Sequence, residues 1–80
     1  MINNELIQSI NKIHTTQLGA TRIKRNLNLD NENIVEWCKN QILNSKSIIR
    51  KGKNWYIKTN DLVITVNAHS YTIITAHKSN

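Results

Sequence analysis

The stretch Leu62-Val63-Ile64-Thr65-Val66-Asn67-Ala68-His69-Ser70-Tyr71-Thr72-Ile73-Ile74-Thr75-Ala76-His77 decides how the chain folds. It holds two runs rich in β-branched residues, Leu62–Asn67 and Tyr71–His77, joined by the small polar link Ala68-His69-Ser70. Runs of that length and composition are strands, and the link is a turn signal, so the stretch predicts an antiparallel hairpin. Working backward, Trp55–Thr59 is strand-like and lies between the turn signals Gly52-Lys53-Asn54 and Asn60-Asp61. Ser47–Lys51 is a shorter strand candidate before it. The second half of the chain therefore predicts a three- to four-stranded antiparallel meander.

Upstream of residue 45 the apolar spacing changes from strand to helix. Leu6, Ile10 and Ile13 fall at i, i+4 and i+7, with Asn3 or Asn4 as a cap. After His14, either Thr15 or Thr16 can cap a second helix, whose stripe is Ala20, Ile23 and Leu27. Asn26, Asn28 and Asp30 end that helix, and Asp30 is placed to cap a third with the stripe Ile34, Cys38 and Ile42. Helices followed by strands predict an α+β domain, with two to three helices packed on one sheet face and the other face left open. The expected organisation is a single domain over 1–80, with a helical half at 1–44 and a sheet half at 45–80.

Size and composition narrow the function. At 80 residues the chain has room for one modest core. Apolar residues at 39% argue against disorder. One cysteine forms no internal disulfide, and its place on the apolar stripe of the third helix makes Cys38 a core residue. The start of the chain lacks the pattern of a signal peptide, and no stretch has the length of a membrane span, so the expected location is cytoplasmic and no membrane partner is expected.

The formal charge is +6, and it is unevenly placed. Residues 1–29 set Lys12, Arg22, Lys24 and Arg25 against Glu5, a net +3. Residues 30–44 set Lys39 against Asp30, Glu32 and Glu36, a net −2. Residues 45–80 set Lys46, Arg50, Lys51, Lys53, Lys58 and Lys78 against Asp61, a net +5. Two basic blocks predict an anionic partner, RNA or another nucleic acid first. Arg22 and Arg25 share a helix face and can grip phosphate. Thr15 and Thr16 offer hydroxyls at a helix start. Lys51 and Lys53 stand beside Trp55 and Tyr56. Trp55 is expected in the core, which points Tyr56 outward as a base-stacking ring.

Metal-independent RNA cleavage needs a base, an acid and a cation, and histidine suits both proton transfers. His14, His69 and His77 are the candidates, with Arg22 as the electrostatic partner. Strand parity refines the choice. Leu62, Ile64 and Val66 read as buried, which turns Val63, Thr65 and Asn67 away from the core. Tyr71, Ile73, Thr75 and His77 share one face of the last strand. A three-residue turn gathers Thr65, Asn67, Tyr71, Thr75 and His77 on the open face; a two-residue turn shifts the register and breaks that set. Both remain open at this point. No convergent acids, close metal-ligand spacing or Gly-rich phosphate loop points to another chemistry, so neither a metal nor a cofactor is expected.

The segments His14–Leu27, Lys51–Ile57 and Ile64–His77 together resemble a family of short bacterial proteins grouped as a domain of unknown function. That resemblance covers nearly the whole chain and implies no activity. Helices followed by an antiparallel sheet ending in Ile73-Ile74-Thr75-Ala76-His77 are also similar to the barnase, EndoU, colicin D and RelE group of small metal-independent ribonucleases. That second resemblance implies catalytic residues on the exposed sheet face and the preceding helix, with His77 and Thr75 in the final strand and His14 or Arg22 from the helical side.

The expectation is an RNA-binding, toxin-like ribonuclease. His14 and His77 share proton transfer, Arg22 and Lys53 hold phosphate, and Tyr56 or Tyr71 stacks a base. Two alternatives need less. One is a non-catalytic nucleic-acid-binding or regulatory module; the other is an adaptor that dimerises through a sheet edge. A cognate protein inhibitor is a further expected partner, and the chain is expected as a monomer or homodimer.

Overall fold

The computed structural model describes residues 5–30 and 32–79. The order of elements is α1 (Glu5–Gln8), a 3-10 turn (Ile10–Lys12), α2 (Gln17–Leu27), α3 (Ile34–Leu43), β1 (Ser47–Lys51), β2 (Asn54–Lys58), β3 (Leu62–Asn67) and β4 (Ile73–Lys78). The strands form one antiparallel sheet in the order β1-β2-β3-β4, an α+β fold with a four-stranded meander. The helices supply Leu6, Ile23, Leu27, Ile34, Cys38 and Ile42 to one buried cluster, and the sheet supplies Trp55, Ile57, Leu62, Ile64, Val66, Ile73 and Ala76. Only one sheet face contributes to that cluster.

Local chemistry sets the helix ends. Thr16 caps α2, its side chain accepting from Gly19 N at 3.0 Å. Asn28 closes α2 in the left-handed region at φ 54°, a conformation asparagine tolerates. The cap of α3 is Asn33, whose Oδ1 accepts from Glu36 N at 3.1 Å, rather than Asp30. Asp30 lies too far ahead of Ile34 to reach the first free N–H groups. The expected first helix is split at Ser9, whose backbone leaves the helical region at φ −108° and ψ 23°, and it ends where Ile13 turns extended ahead of the His14 pairing with Thr72. The proposed Asn3 and Asn4 caps lie outside the described residues.

The outer side of β4 is closed by the helical half. His14 N donates to Tyr71 O at 3.1 Å, and Ile73 N donates to His14 O at 2.8 Å. Thr15 Oγ1 donates to Ile73 O at 3.3 Å, and Asn26 Nδ2 to Ala76 O at 3.4 Å. Each bond satisfies an edge group that would otherwise face water or another chain. No described helix is long and apolar enough to cross a membrane.

The register corrects the expected open-face set. Thr65 pairs with Thr75, but Val66 pairs with Ile73, so β4 carries one extra residue, Ile74. This bulge reverses parity: Ile73 is buried in the core, whereas Thr75 and His77 stay on the open face. Tyr71 leaves the open set as well. Its backbone is left-handed at φ 60°, and its ring packs against buried Trp55 with centroids 5.4 Å apart. Lys12 Nζ lies 5.4 Å from the same ring.

Candidate nucleic-acid interface

Pairing across the four strands arranges the open face in three rows. Lys51, Asn54 and Asn67 form one; Ile49, Tyr56, Thr65 and Thr75 form the next; Ser47, Lys58, Val63 and His77 form the third. None of these side chains is acidic. Ile49, Lys51, Tyr56, Lys58 and Val63 line a shallow concavity of about 570 Å³. Tyr56 is half-buried at its centre and accepts from Asn54 Nδ2 at 3.4 Å. Along the strand direction Lys51, opposite Asn54 on β1, lies roughly 7 Å to one side of Tyr56, and Lys58 of β2 lies roughly 7 Å to the other. An aromatic ring bracketed by two cations is the arrangement that holds a base and its flanking phosphates.

The turns bring further cations to the same end. Gly52 takes φ 62°, which a side chain would strain, and lets the β1–β2 hairpin close in two residues. Lys53 follows it, exposed, with its carbonyl accepting from Ala68 N at 2.7 Å. Arg50 points to the covered side instead. Its guanidinium carbon lies 5.5 Å from the centroid of the Trp55 ring, and Nε donates to Gly52 O at 3.0 Å.

The two histidines do not meet. His77 is on the open face opposite Val63, and its Nδ1 lies 3.2 Å from the Lys78 carbonyl. A carbonyl only accepts, so that contact places the proton on Nδ1 and leaves Nε2 available. His14 sits beyond the outer edge of β4. Its Nδ1 lies 2.9 Å from Lys12 O, and its Nε2 lies 3.1 Å from Thr72 Oγ1. When neutral, His14 therefore donates from Nδ1 and accepts the Thr72 hydroxyl at Nε2. Thr72 and His77 are five residues apart on an extended segment, roughly 15 Å. One phosphodiester cannot reach both rings, so the expected His14–His77 pair is not assembled. The cause is the pairing of His14 with the near end of β4.

Other expected site residues are likewise dispersed. Thr15 spends its hydroxyl on Ile73 O, so it holds the sheet edge rather than an anion. Asn67 shares the open-face parity, but its Oδ1 accepts from His69 N at 2.9 Å, Ser70 N at 3.0 Å and Ser70 Oγ at 3.2 Å. It shapes the β3–β4 turn. Tyr71 has one ring face against Trp55 and a cation nearby, which removes it as a free stacking platform. Arg22 and Arg25 do lie together, with Leu18 and Thr21, but on the outer side of α2 and away from the open sheet face. His69 is exposed in the turn. Thr75 stands two strands from Tyr56, with Thr65 between them.

Three concavity residues were not among the sequence candidates: Ile49, Lys58 and Val63. Lys58 was within reach, because it is two residues from Tyr56 on a strand and must share its face. Ile49 and Val63 needed the register. Burial pushes the Cys38 thiol up to about 12, which keeps it protonated and unreactive at neutral pH. Among the described residues no three of His, Cys, Asp and Glu cluster closely enough to hold a metal ion.

A family model described as "Protein of unknown function (DUF3781)" matches residues 7–77. No curated protein and no solved structure matches the chain.

Proposed function

Because the chain belongs to the DUF3781 family, whose description carries no activity, its function has to be read from its surface, and we propose that it binds single-stranded nucleic acid on the open sheet face. The observation that carries this reading is the concavity in which Tyr56 stands between Lys51 and Lys58, floored by Ile49 and Val63. A base stacks on Tyr56, its apolar edges rest on Ile49 and Val63, and the two ammonium groups take the neighbouring phosphates. Lys53 adds long-range attraction from the adjoining turn. A duplex presents no free base face to a single ring on a shallow sheet, so an unpaired strand, RNA in this proposal, is the favoured form. The protein acts in the cytoplasm as a non-catalytic binding or regulatory module.

The test is fluorescence anisotropy with a short labelled RNA lacking secondary structure, over a series of salt concentrations. Tyr56→Ala weakens binding by about 1–3 kcal/mol, the worth of one stacked base. Lys58→Ala weakens it and lowers the slope of log affinity against log salt by about 0.7. Wild-type binding that is unchanged by both substitutions overturns the proposal.

Cleavage is a second reading, supported by one observation. His77 shares a row with Lys58, so an imidazole with its Nε2 available and an ammonium face the same solvent. On this reading His77 is the proton-transfer residue and His14 takes no part. Incubating RNA with wild type, His77→Ala and His14→Ala in excess chelator decides it. Cleavage lost only with His77→Ala supports the reading; intact RNA throughout ends it.

A further inference from the structure

Three of the eight cations outside the open face and its turn lie on α2. That helix carries Arg22, Lys24 and Arg25 and no carboxylate. Among the described residues the ion pair is Lys39 with Glu36 at 3.3 Å, so none of the three α2 cations is neutralised there. Leu18, Arg22 and Arg25 fall at i, i+4 and i+7, on the side of the helix opposite Ile23 and Leu27. Thr21 completes a shallow groove of about 170 Å³.

Leu18 distinguishes this face from a phosphate grip. It is 79% exposed, the most open large hydrophobic side chain among the described residues. A phosphate backbone offers it nothing, because only an apolar atom removes leucine surface from water favourably. Each guanidinium holds a carboxylate by two parallel hydrogen bonds, as it can a phosphate, so Leu18 is what separates the two occupants. A protein segment with carboxylates on either side of an apolar side chain meets both demands at once.

We propose that the outer face of α2 docks an acidic protein segment, which seats an apolar side chain on Leu18 and is held through its carboxylates by Arg22 and Arg25. The site shares no residue with the concavity on the sheet, so the two surfaces can be occupied independently.

The experiment uses the full chain and a short fluorescein-labelled peptide of Glu-Glu-Leu repeats, with a Glu-Glu-Ser peptide of equal length and charge as comparison. The leucine peptide binds, and the serine peptide binds at least about tenfold more weakly, the scale of burying one leucine. Leu18→Ser brings the leucine peptide down to the level of the serine peptide. Arg22→Glu with Arg25→Glu removes binding of both, and Tyr56→Ala changes neither. All of these positions except Tyr56 are exposed, so the α2 variants keep their fold. Equal binding of the two peptides, or no effect of Leu18→Ser, overturns the proposal. So does displacement of the peptide from wild type by a short oligouridylate that no longer binds the arginine variant, because α2 is then a nucleic-acid surface. RNA binding weakened by Tyr56→Ala alongside unchanged peptide binding keeps this result separate from that of the sheet face.

Discussion

The two flanks of the sheet are built differently. On the β4 side, backbone and side-chain groups from His14, Thr15 and Asn26 occupy the outer edge, and α2 packs directly against the strand. On the β1 side no described strand lies beyond Ser47–Lys51, and Ile49 remains 48% exposed. Among the described residues the β1 edge is guarded by the charges of Arg50 and Lys51 at its end. Of the two flanks β4 is therefore the more tightly held, and the β1 half of the open face is left free for a ligand. A binding surface needs side chains that do not also hold the fold, and Ile49 and Lys51, both exposed on β1, meet that requirement.

The sharpest way to break this comparison is to truncate one isoleucine on each flank. Ile73→Ala on β4, a buried site, costs about 2–5 kcal/mol by urea unfolding. Ile49→Ala on β1 is expected within about 0.5 kcal/mol of wild type, as for exposed positions generally. Similar losses at both sites would show that the flanks are equally load-sharing.

Alkaline unfolding probes the covered side. The Cys38 pKa is raised in the fold from 9.0 to about 12 by burial, so the folded state holds its proton more tightly than the unfolded chain. Stability is unaffected by this group below pH 9 and falls as pH rises from there toward 12, with a slope approaching about 1.4 kcal/mol per pH unit. Unfolding curves of wild type and Cys38→Ala over that range isolate the thiol from the lysines and tyrosines. Parallel curves would refute its contribution.

Two smaller effects sharpen the account of the α2 start. Thr16→Ala removes the cap on Gly19 N and costs about 1 kcal/mol of thermal or urea stability. Gly19→Ala is expected to gain nothing, although alanine in a helix is ordinarily favoured by about 1 kcal/mol. The added methyl falls against Thr15 Oγ1 and 3.2 Å from Thr16 Oγ1, so it displaces the hydroxyl that holds Ile73 O. Thr15→Ala combined with Gly19→Ala recovers the helix gain relative to Thr15→Ala alone. A stabilising Gly19→Ala by itself would mean that the Thr15 hydroxyl does little for the β4 edge.

Much of this architecture was legible along the chain. The change of period near residue 45, the limits of β1 and β3, the outward turn of Tyr56 and the burial of Trp55 and Cys38 all follow from local patterns. Local reading failed where a distant partner intervened. Tyr71 has the parity of an open-face residue, yet a left-handed backbone and the Trp55 ring take it to the other side. Ile73 alternates with Thr75 on paper, and the bulge at Ile74 separates them. His14 follows a helix in sequence and ends as the neighbour of Thr72, which divides it from His77.

What the amino-acid order determined by itself was the inventory: which segments become helix or strand, which side chains are apolar enough to enter the core, and how much positive charge must be carried on the surface. These depend on spacings of a few residues and on side-chain chemistry. Only the tertiary structure decided which charges and rings share a face. That outcome depends on pairing register and on contacts between residues 58 apart in the chain, such as Thr15 with Ile73, and one extra residue in one strand is enough to move a side chain across the sheet.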